Sequence, residues 1–266
     1  MDYEVEYNNR ARLPDHRDVL ARWRARSAVE RPAARAALDQ PYGPGERQRY
    51  DLFHAGPPLV IYIHGGYWQM GSREDTAFIA RGFTDAGITV AVPSYSLCPA
   101  VSILDVIEDL RRCTAALWAA TGARPVVVGH SAGGHLAAAL LATDWRAYDA
   151  PADLVSTVCA ISGVFELAPL ITTTMNAALR LDPALARAAS PRWWPPPARG
   201  TLVTAVGAEE TGEFHRQSRT LSELWGAAGV ATEHLTIAGA NHFTIVDELT
   251  RPDSALFGRV VTLTRA

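Results

Sequence analysis

Residues 126–135 read Val-Val-Val-Gly-His-Ser-Ala-Gly-Gly-His, a short β-branched run that breaks into Gly129-x-Ser131-x-Gly133 and then continues as an Ala/Leu-rich helical pattern. That order predicts a strand, a sharp turn and a helix, the context in which G-x-S-x-G presents a nucleophile. The turn is so tight that its flanking positions must be small. It projects the serine hydroxyl at a helix N-terminus, where backbone N–H groups point outward. Ser131 is therefore the candidate covalent nucleophile. A bare G-x-S-x-G arises often by chance; the strand before it and the helix after it give it weight.

Upstream, residues 59–64 (Leu-Val-Ile-Tyr-Ile-His) form a continuous apolar, β-rich run, as a strand buried on both faces requires. The run ends in His64-Gly65-Gly66-Tyr67-Trp68. Paired glycines at a strand end are either a plain turn or a place where the backbone approaches a ligand closely. The order strand, HGG loop, then serine elbow decides between these, because it is the order of the α/β-hydrolase fold. There the loop and the residue after the serine supply the backbone N–H donors of an oxyanion hole. Gly65, Gly66 and Ala132 are the expected donors, with the Tyr67 N–H as a further one.

The 266 residues suit one compact α/β domain. A formal net charge of -3 and a pI near 6.2 leave no electrostatic footprint for nucleic acid. The opening MDYEVEYNNR is acidic and polar where a signal peptide needs a basic start and an apolar core. No stretch reaches membrane-spanning length, so a cytoplasmic protein without a membrane partner is expected. Cys98, Cys113 and Cys159 cannot all pair and lack metal-ligand spacing, which predicts reduced thiols, with Cys113 and Cys159 in the core. The histidines form no H-E-x-x-H and no cluster with carboxylates, so neither metal nor cofactor is expected.

Residues 14–38 are rich in Arg and Ala, and Leu13, Val19, Leu20 and Trp23 fall at roughly helical spacing. They predict an amphipathic helix packed on the main body, within an N-terminal helical arm spanning 1–45. Pro41-Tyr42-Gly43-Pro44-Gly45 punctuates the chain. Strands are then expected at 49–53, 59–64, 88–92, 126–128, 155–161, 201–206 and 232–237. Helical patterns at 73–86, 103–121 and 133–143 alternate with them, and a last pair is expected from Phe243 towards Leu249 and near the C-terminus. Helix 103–121 should bury Leu104, Ile107, Leu110, Leu117 and Trp118. The alternation implies a doubly wound, mostly parallel sheet in a single domain, 1–266. Residues 162–200 interrupt it with Phe165, Leu170, Met175 and Trp193-Trp194-Pro195-Pro196-Pro197. A plain loop would leave these apolar side chains exposed, so the insertion reads as a small cap over the active site.

A serine nucleophile needs a base and an orienting acid, which in this fold follow in the order Ser, Asp/Glu, His. His242, in Gly239-Ala240-Asn241-His242-Phe243 just after the last expected strand, is the candidate base. His215 and His234 fall in a helix and a strand. The acid should follow strand 201–206, where the chain reads Gly207-Ala208-Glu209-Glu210-Thr211-Gly212-Glu213. Asp247 and Asp253 come too late, and Glu213 begins a helix whose dipole it complements. Local sequence leaves Glu209 and Glu210 open.

With these residues placed, the chain resembles the arylformamidase, or kynurenine formamidase, branch of the α/β-hydrolases, close to the hormone-sensitive-lipase-like esterases. The resemblance runs over nearly the whole chain. It is carried by HGGYW at 64–68, GHSAGGHL at 129–136, EFHRQS at 213–218 and NHF at 241–243, with EYNNR at 6–10 in support. GHSAGG is widespread among esterases; Trp68 after HGG and the EFHRQS run are more selective. The resemblance places the acid three positions before Glu213-Phe214, at Glu210, where many relatives carry Asp, and it implies a fold without metal.

The chemistry so implied is hydrolysis of an N-formyl arylamine, N-formyl-L-kynurenine first, through a Ser131–His242–Glu210 triad and a formyl-serine. Tyr67, Trp68, His130 and Phe165 are the expected substrate-contacting residues, with Trp193-Trp194 as further aromatic wall. The expected partner is a small aryl formamide or ester, and an edge strand or the N-terminal helix leaves room for a homodimer. A short-acyl carboxylesterase or a related arylamide amidase would use the same machinery. A non-catalytic, ligand-binding member of the fold would have lost part of it.

Overall fold

The computed structural model describes residues 1–33 and 35–265. The strands are β1 (Ala36–Pro41), β2 (Arg49–Phe53), β3 (Leu59–Ile63), β4 (Thr89–Pro93), β5 (Pro125–His130), β6 (Thr157–Ile161), β7 (Thr201–Gly207) and β8 (Ala231–Ile237). They form one sheet in the order β1-β2-β4-β3-β5-β6-β7-β8. Every pairing from β4 to β8 is parallel, and β1 and β2 are antiparallel. β3 and β5 lie side by side at the centre, with every residue buried. This is what their uninterrupted Val/Ile/Tyr runs require, since helices cover both faces of a parallel sheet. Two apolar layers result, one on each face.

One layer packs under the helices Ile103–Thr121, Ala132–Leu141 and Gly212–Ala227. The helix Ile103–Thr121 begins in a capping box between Ser102 and Asp105 and stops at Gly122 in the left-handed region, as the C-terminal glycine rule expects. Its buried face runs through Ile103, Val106, Ile107, Leu110, Cys113 and Leu117. Leu104, expected inside, is 39% exposed, because the stripe passes one position before it. The other layer packs under His16–Ala33 and Ala255–Leu263. Val19 and Trp23 fix the first of these, and the Trp23 indole N–H donates to Asp247 at 3.1 Å.

Two elements depart from the sequence pattern. The N-terminal helix stops at Ala33, and 36–41 is an edge strand that the expected 1–45 helical arm did not contain. AALDQP lacks β-branched residues, its register shifts between Ala37 and Gln40, and Asp39 sits at φ 56. Irregular, proline-ended strands of this kind belong at sheet edges. Residues 73–86 form three short turns of helix instead of one, Arg73–Thr76, Ala77–Ile79 and Ala80–Asp85. Among the described residues no helix is long and apolar enough to cross a membrane.

Candidate active site

The functional side chains gather where the parallel strands end at their carboxyl edge, the usual ligand side of an open α/β sheet. β5 delivers Ser131, the loop after β7 delivers Glu210, and the loop after β8 delivers His242. Ser131 has φ 57 and ψ -117, a conformation sparsely populated by residues with a side chain. The elbow tolerates it because its flanks are glycines packed against backbone. A Cβ on Gly129 would fall on the Gly133 carbonyl, and one on Gly133 would fall on the Ile63 carbonyl of β3. Ser131 N–H donates to Ile161 O at 2.8 Å, which ties the elbow to β6.

His242 Nε2 accepts from Ser131 Oγ at 3.1 Å, and its Nδ1–H donates to Glu210 Oε2 at 2.6 Å. All three groups are buried. The other Glu210 oxygen accepts from the Gly207 N–H at 2.7 Å and from Ser162 Oγ at 2.6 Å, so three donors fix this carboxylate. Glu209 is exposed, and its backbone carbonyl accepts from Arg12 instead. The choice that local sequence left open thus falls on Glu210. His242 lies against Phe214, with ring centroids 4.5 Å apart, and His130 donates its Nε2–H to the His242 carbonyl at 2.8 Å. Such an arrangement lets a serine lose its proton to an imidazole whose tautomer and cationic form the carboxylate supports.

The HGG loop closes on the elbow from β3. A Cβ on Gly65 would meet the His130 carbonyl and Ser131 Cβ at 2.9 and 3.0 Å, so this backbone lies directly beside the serine. Gly66, Tyr67 and Trp68 follow at φ 120, 54 and 57. Among the described residues none accepts a hydrogen bond from the N–H of Gly65, Gly66 or Tyr67. Ala132 opens the helix behind Ser131, where N–H groups lack intrahelical partners. Unpaired donors around a serine are what an oxyanion needs. His64 holds the loop: its Nδ1–H donates to Gly65 O at 2.7 Å while its ring stacks on Tyr95.

The cleft beside Ser131 holds about 720 Å³ of space, including its open mouth. Tyr67 and His130 line it, as do Gly65 and Gly66. Trp68 and Phe165 do not. Trp68 turns inward, its indole N–H donating to His135 Nδ1 at 3.3 Å, and Phe165 is core, with its N–H held by Gln217 at 2.9 Å. Trp193 is exposed between Arg187 and Arg192, and Trp194 donates to Ala188 O. The aromatic walls are instead Trp23, Tyr62, Tyr67 and Phe243. The insertion 162–200 contributes nothing to this lining, because its apolar residues Phe165, Leu167, Leu170 and Leu179 are spent on the core. Arg10, Leu20, Trp23 and Arg24 of the N-terminal segment form the cover.

That segment is clamped by a polar network the sequence did not announce. Tyr7 Oη donates to Glu213 Oε2 at 2.6 Å and accepts from Gln217 Nε2 at 2.7 Å. Tyr67 Oη donates to the Tyr7 carbonyl at 3.0 Å and accepts the Asn9 N–H at 3.2 Å. Glu213, read as a helix-dipole residue, is thus an anchor, paired also with Arg216 at 2.6 Å. Burial drives the Tyr67 phenol up to about 12, the neighbouring Arg10 acting in the opposite direction.

Buried histidines give the protein a pH signature. Burial pushes His64 and His135 down to about 4, and burial with His242 nearby pushes His130 well below its ordinary value. An unfolded histidine titrates near ~6.5. Between pH 6.5 and about 4 the unfolded chain binds protons that the folded chain refuses, so stability is full above the window and falls as pH drops through it. Each histidine contributes a slope of up to about 1.4 kcal/mol per pH unit. Urea midpoints should therefore fall between pH 7 and pH 5, with uptake of roughly three protons on unfolding; a flat midpoint would remove this account.

Comparison with known proteins agrees with the architecture. The alpha/beta hydrolase fold family matches residues 60–245. Kynurenine formamidase of Danio rerio is 29% identical over 238 residues, 85% of this chain and 79% of the relative. That of Drosophila melanogaster is 27% identical over 80% of this chain and 76% of the relative. The crystal structure of a proposed thioesterase from Silicibacter sp. tm1040 aligns with a TM-score of 0.88 at 30% identity, covering 97% of this chain and 98% of that one. This chain is a hydrolase that belongs to the alpha/beta hydrolase fold family, and within it the chain resembles the kynurenine formamidases.

Proposed function

We propose that the protein deformylates N-formyl arylamines, N-formyl-L-kynurenine foremost, giving the arylamine and formate. The observation that carries this is the continuous chain from Glu210 through His242 to Ser131, opening beside unpaired N–H groups into an aromatic cleft. The likeness to kynurenine formamidases supports the choice of substrate.

His242 takes the Ser131 proton as Oγ attacks the formyl carbon. The carbonyl oxygen becomes an oxyanion held by the N–H groups of Gly65, Gly66 and Ala132, with Tyr67 N–H adjoining. The C–N bond then breaks and His242 returns the proton to the departing aniline nitrogen, leaving a formyl ester on Ser131. Water, deprotonated by His242, attacks that ester; formate leaves and the serine is restored. An aryl amide suits this site because its nitrogen shares its lone pair with the ring, which makes the amine a better leaving group. Three free, buried cysteines fit work in a reducing compartment such as the cytoplasm.

The test is kcat/KM for N-formyl-L-kynurenine against p-nitrophenyl acetate. A preference for the formamide sustains the reading; hydrolysis of the ester alone assigns the same machinery to a short-acyl esterase. Glu210→Gln should lower kcat by about 10³–10⁴-fold, since it leaves the geometry but cannot support an imidazolium. Glu209→Gln should stay within a factor of about 2, because an exposed side chain away from special features matters little. The reverse pattern would move the acid to Glu209.

A further inference from the structure

We propose that Arg10 is a specificity residue that binds a substrate carboxylate, so that the preferred formamides carry an amino-acid head group; this rests on the deformylase reading above. Arg10 lines the same cleft as Ser131 and is half-buried. Among the described residues its guanidinium makes no hydrogen bond and has no carboxylate within 4.0 Å, unlike Arg12, Arg22, Arg24 and Arg26 of the same segment. The other charged lining residues cancel, because Arg24 Nε pairs with Asp75 Oδ1 at 2.8 Å. His64 and His130 add no charge at neutral pH, since burial keeps both neutral. A net positive charge is thus left on the wall of an otherwise aromatic cleft.

The backbone under Arg10 is held in place before any ligand arrives. Tyr7 and Asn9 are both fully buried, and the Asn9 N–H, Tyr67 Oη and Tyr7 carbonyl form one chain of hydrogen bonds. Tyr67 belongs to the HGG loop, so the position of Arg10 is referenced to the loop that faces the scissile carbonyl. A guanidinium offers a planar fork that matches a carboxylate with two parallel hydrogen bonds. An acyl ester or a simple formanilide has nothing to place there, whereas an aryl formamide with an α-carboxylate satisfies both the aromatic wall and the free cation.

The experiment compares kcat/KM for N-formyl-L-kynurenine with that for its decarboxylated analogue, N-formylkynuramine, in wild type, Arg10→Gln and Arg10→Lys. Wild type should favour the acid by about 10–100-fold, mainly through KM. Arg10→Gln should bring the ratio close to 1, and Arg10→Lys should keep part of it. A ratio that Arg10→Gln leaves unchanged overturns the proposal, including the case in which a folding defect lowers both activities together. If wild type deformylates neither compound, the deformylase reading fails by itself. The carboxylate site is then read through L-kynurenine as inhibitor of p-nitrophenyl acetate hydrolysis. A Ki raised about tenfold or more by Arg10→Gln sustains the site, and equal Ki values or no inhibition overturn it.

Discussion

Ser131→Ala should lower kcat/KM for the formamide by roughly 10⁴–10⁶-fold while the protein remains folded. The hydroxyl's hydrogen-bond partner is His242 Nε2, and the backbone that shapes the elbow is held by the Ser131 N–H to Ile161 and by the close glycines on either side. Removing one oxygen therefore takes away the attacking atom and leaves the turn. The remaining rate measures what the oxyanion donors and binding achieve without a nucleophile. The check is a kinetic comparison together with a fluorophosphonate label, which should mark wild type and not the variant, and unfolding midpoints that stay close. Activity above about one percent of wild type would show that another group attacks the substrate.

Gly133→Ala should be a severely damaging substitution, at about 4 kcal/mol or more of stability. The added methyl would overlap the Ile63 carbonyl, with the His64 carbonyl at 2.8 Å; Ile63 is held in register against Gly129 of β5, and the His64 carbonyl accepts from the buried Tyr95 Oη at 2.9 Å, so neither retreats easily. A loss of that size lowers Tm by roughly 8–16 °C in a protein of this length. Gly258→Ala provides the contrast. It lies within the helix Ala255–Leu263, nothing stands within 4 Å of its would-be Cβ, and the change should stabilise by about 0.5–1 kcal/mol. Thermal melts of the two variants beside wild type decide the matter. Similar Tm values for both would mean that the elbow gives way more easily than its contacts imply.

The parts of the fold legible in the sequence are those where one local rule acts without competition. β3 and β5 announce themselves because a strand buried on both faces admits only apolar residues, and the elbow because only glycine fits its flanks. β1 does not, because an edge strand owes its existence to its neighbour; AALDQP pairs with β2 despite its composition. His242 was placed by chain order and Ser131 by its motif, but Glu209 and Glu210 differ only in which one the turn after β7 points inward. That is settled by the Gly207 N–H and by Ser162, which lies 48 positions away. The aromatic residues show the same limit. Trp68 and Phe165 obey core packing and Trp23 lines the cleft, yet all three are simply large apolar side chains until their neighbours are known.

The cover over the cleft has an evolutionary consequence. The proposed catalytic side chains Ser131, Glu210 and His242 sit on the elbow and loops that follow β5, β7 and β8 and are all buried, so that part of the molecule can drift very little. Arg10, Leu20, Trp23 and Arg24 belong to a segment that rests on the sheet from outside and takes no place in the ladder of strands. Under the proposed function, changes of these four side chains would alter which molecules are admitted while Ser131, His242 and Glu210 stay in place. On that same reading, new substrate ranges should arise at these four side chains and not at Tyr7 and Asn9, which tie the segment to the Tyr67 loop.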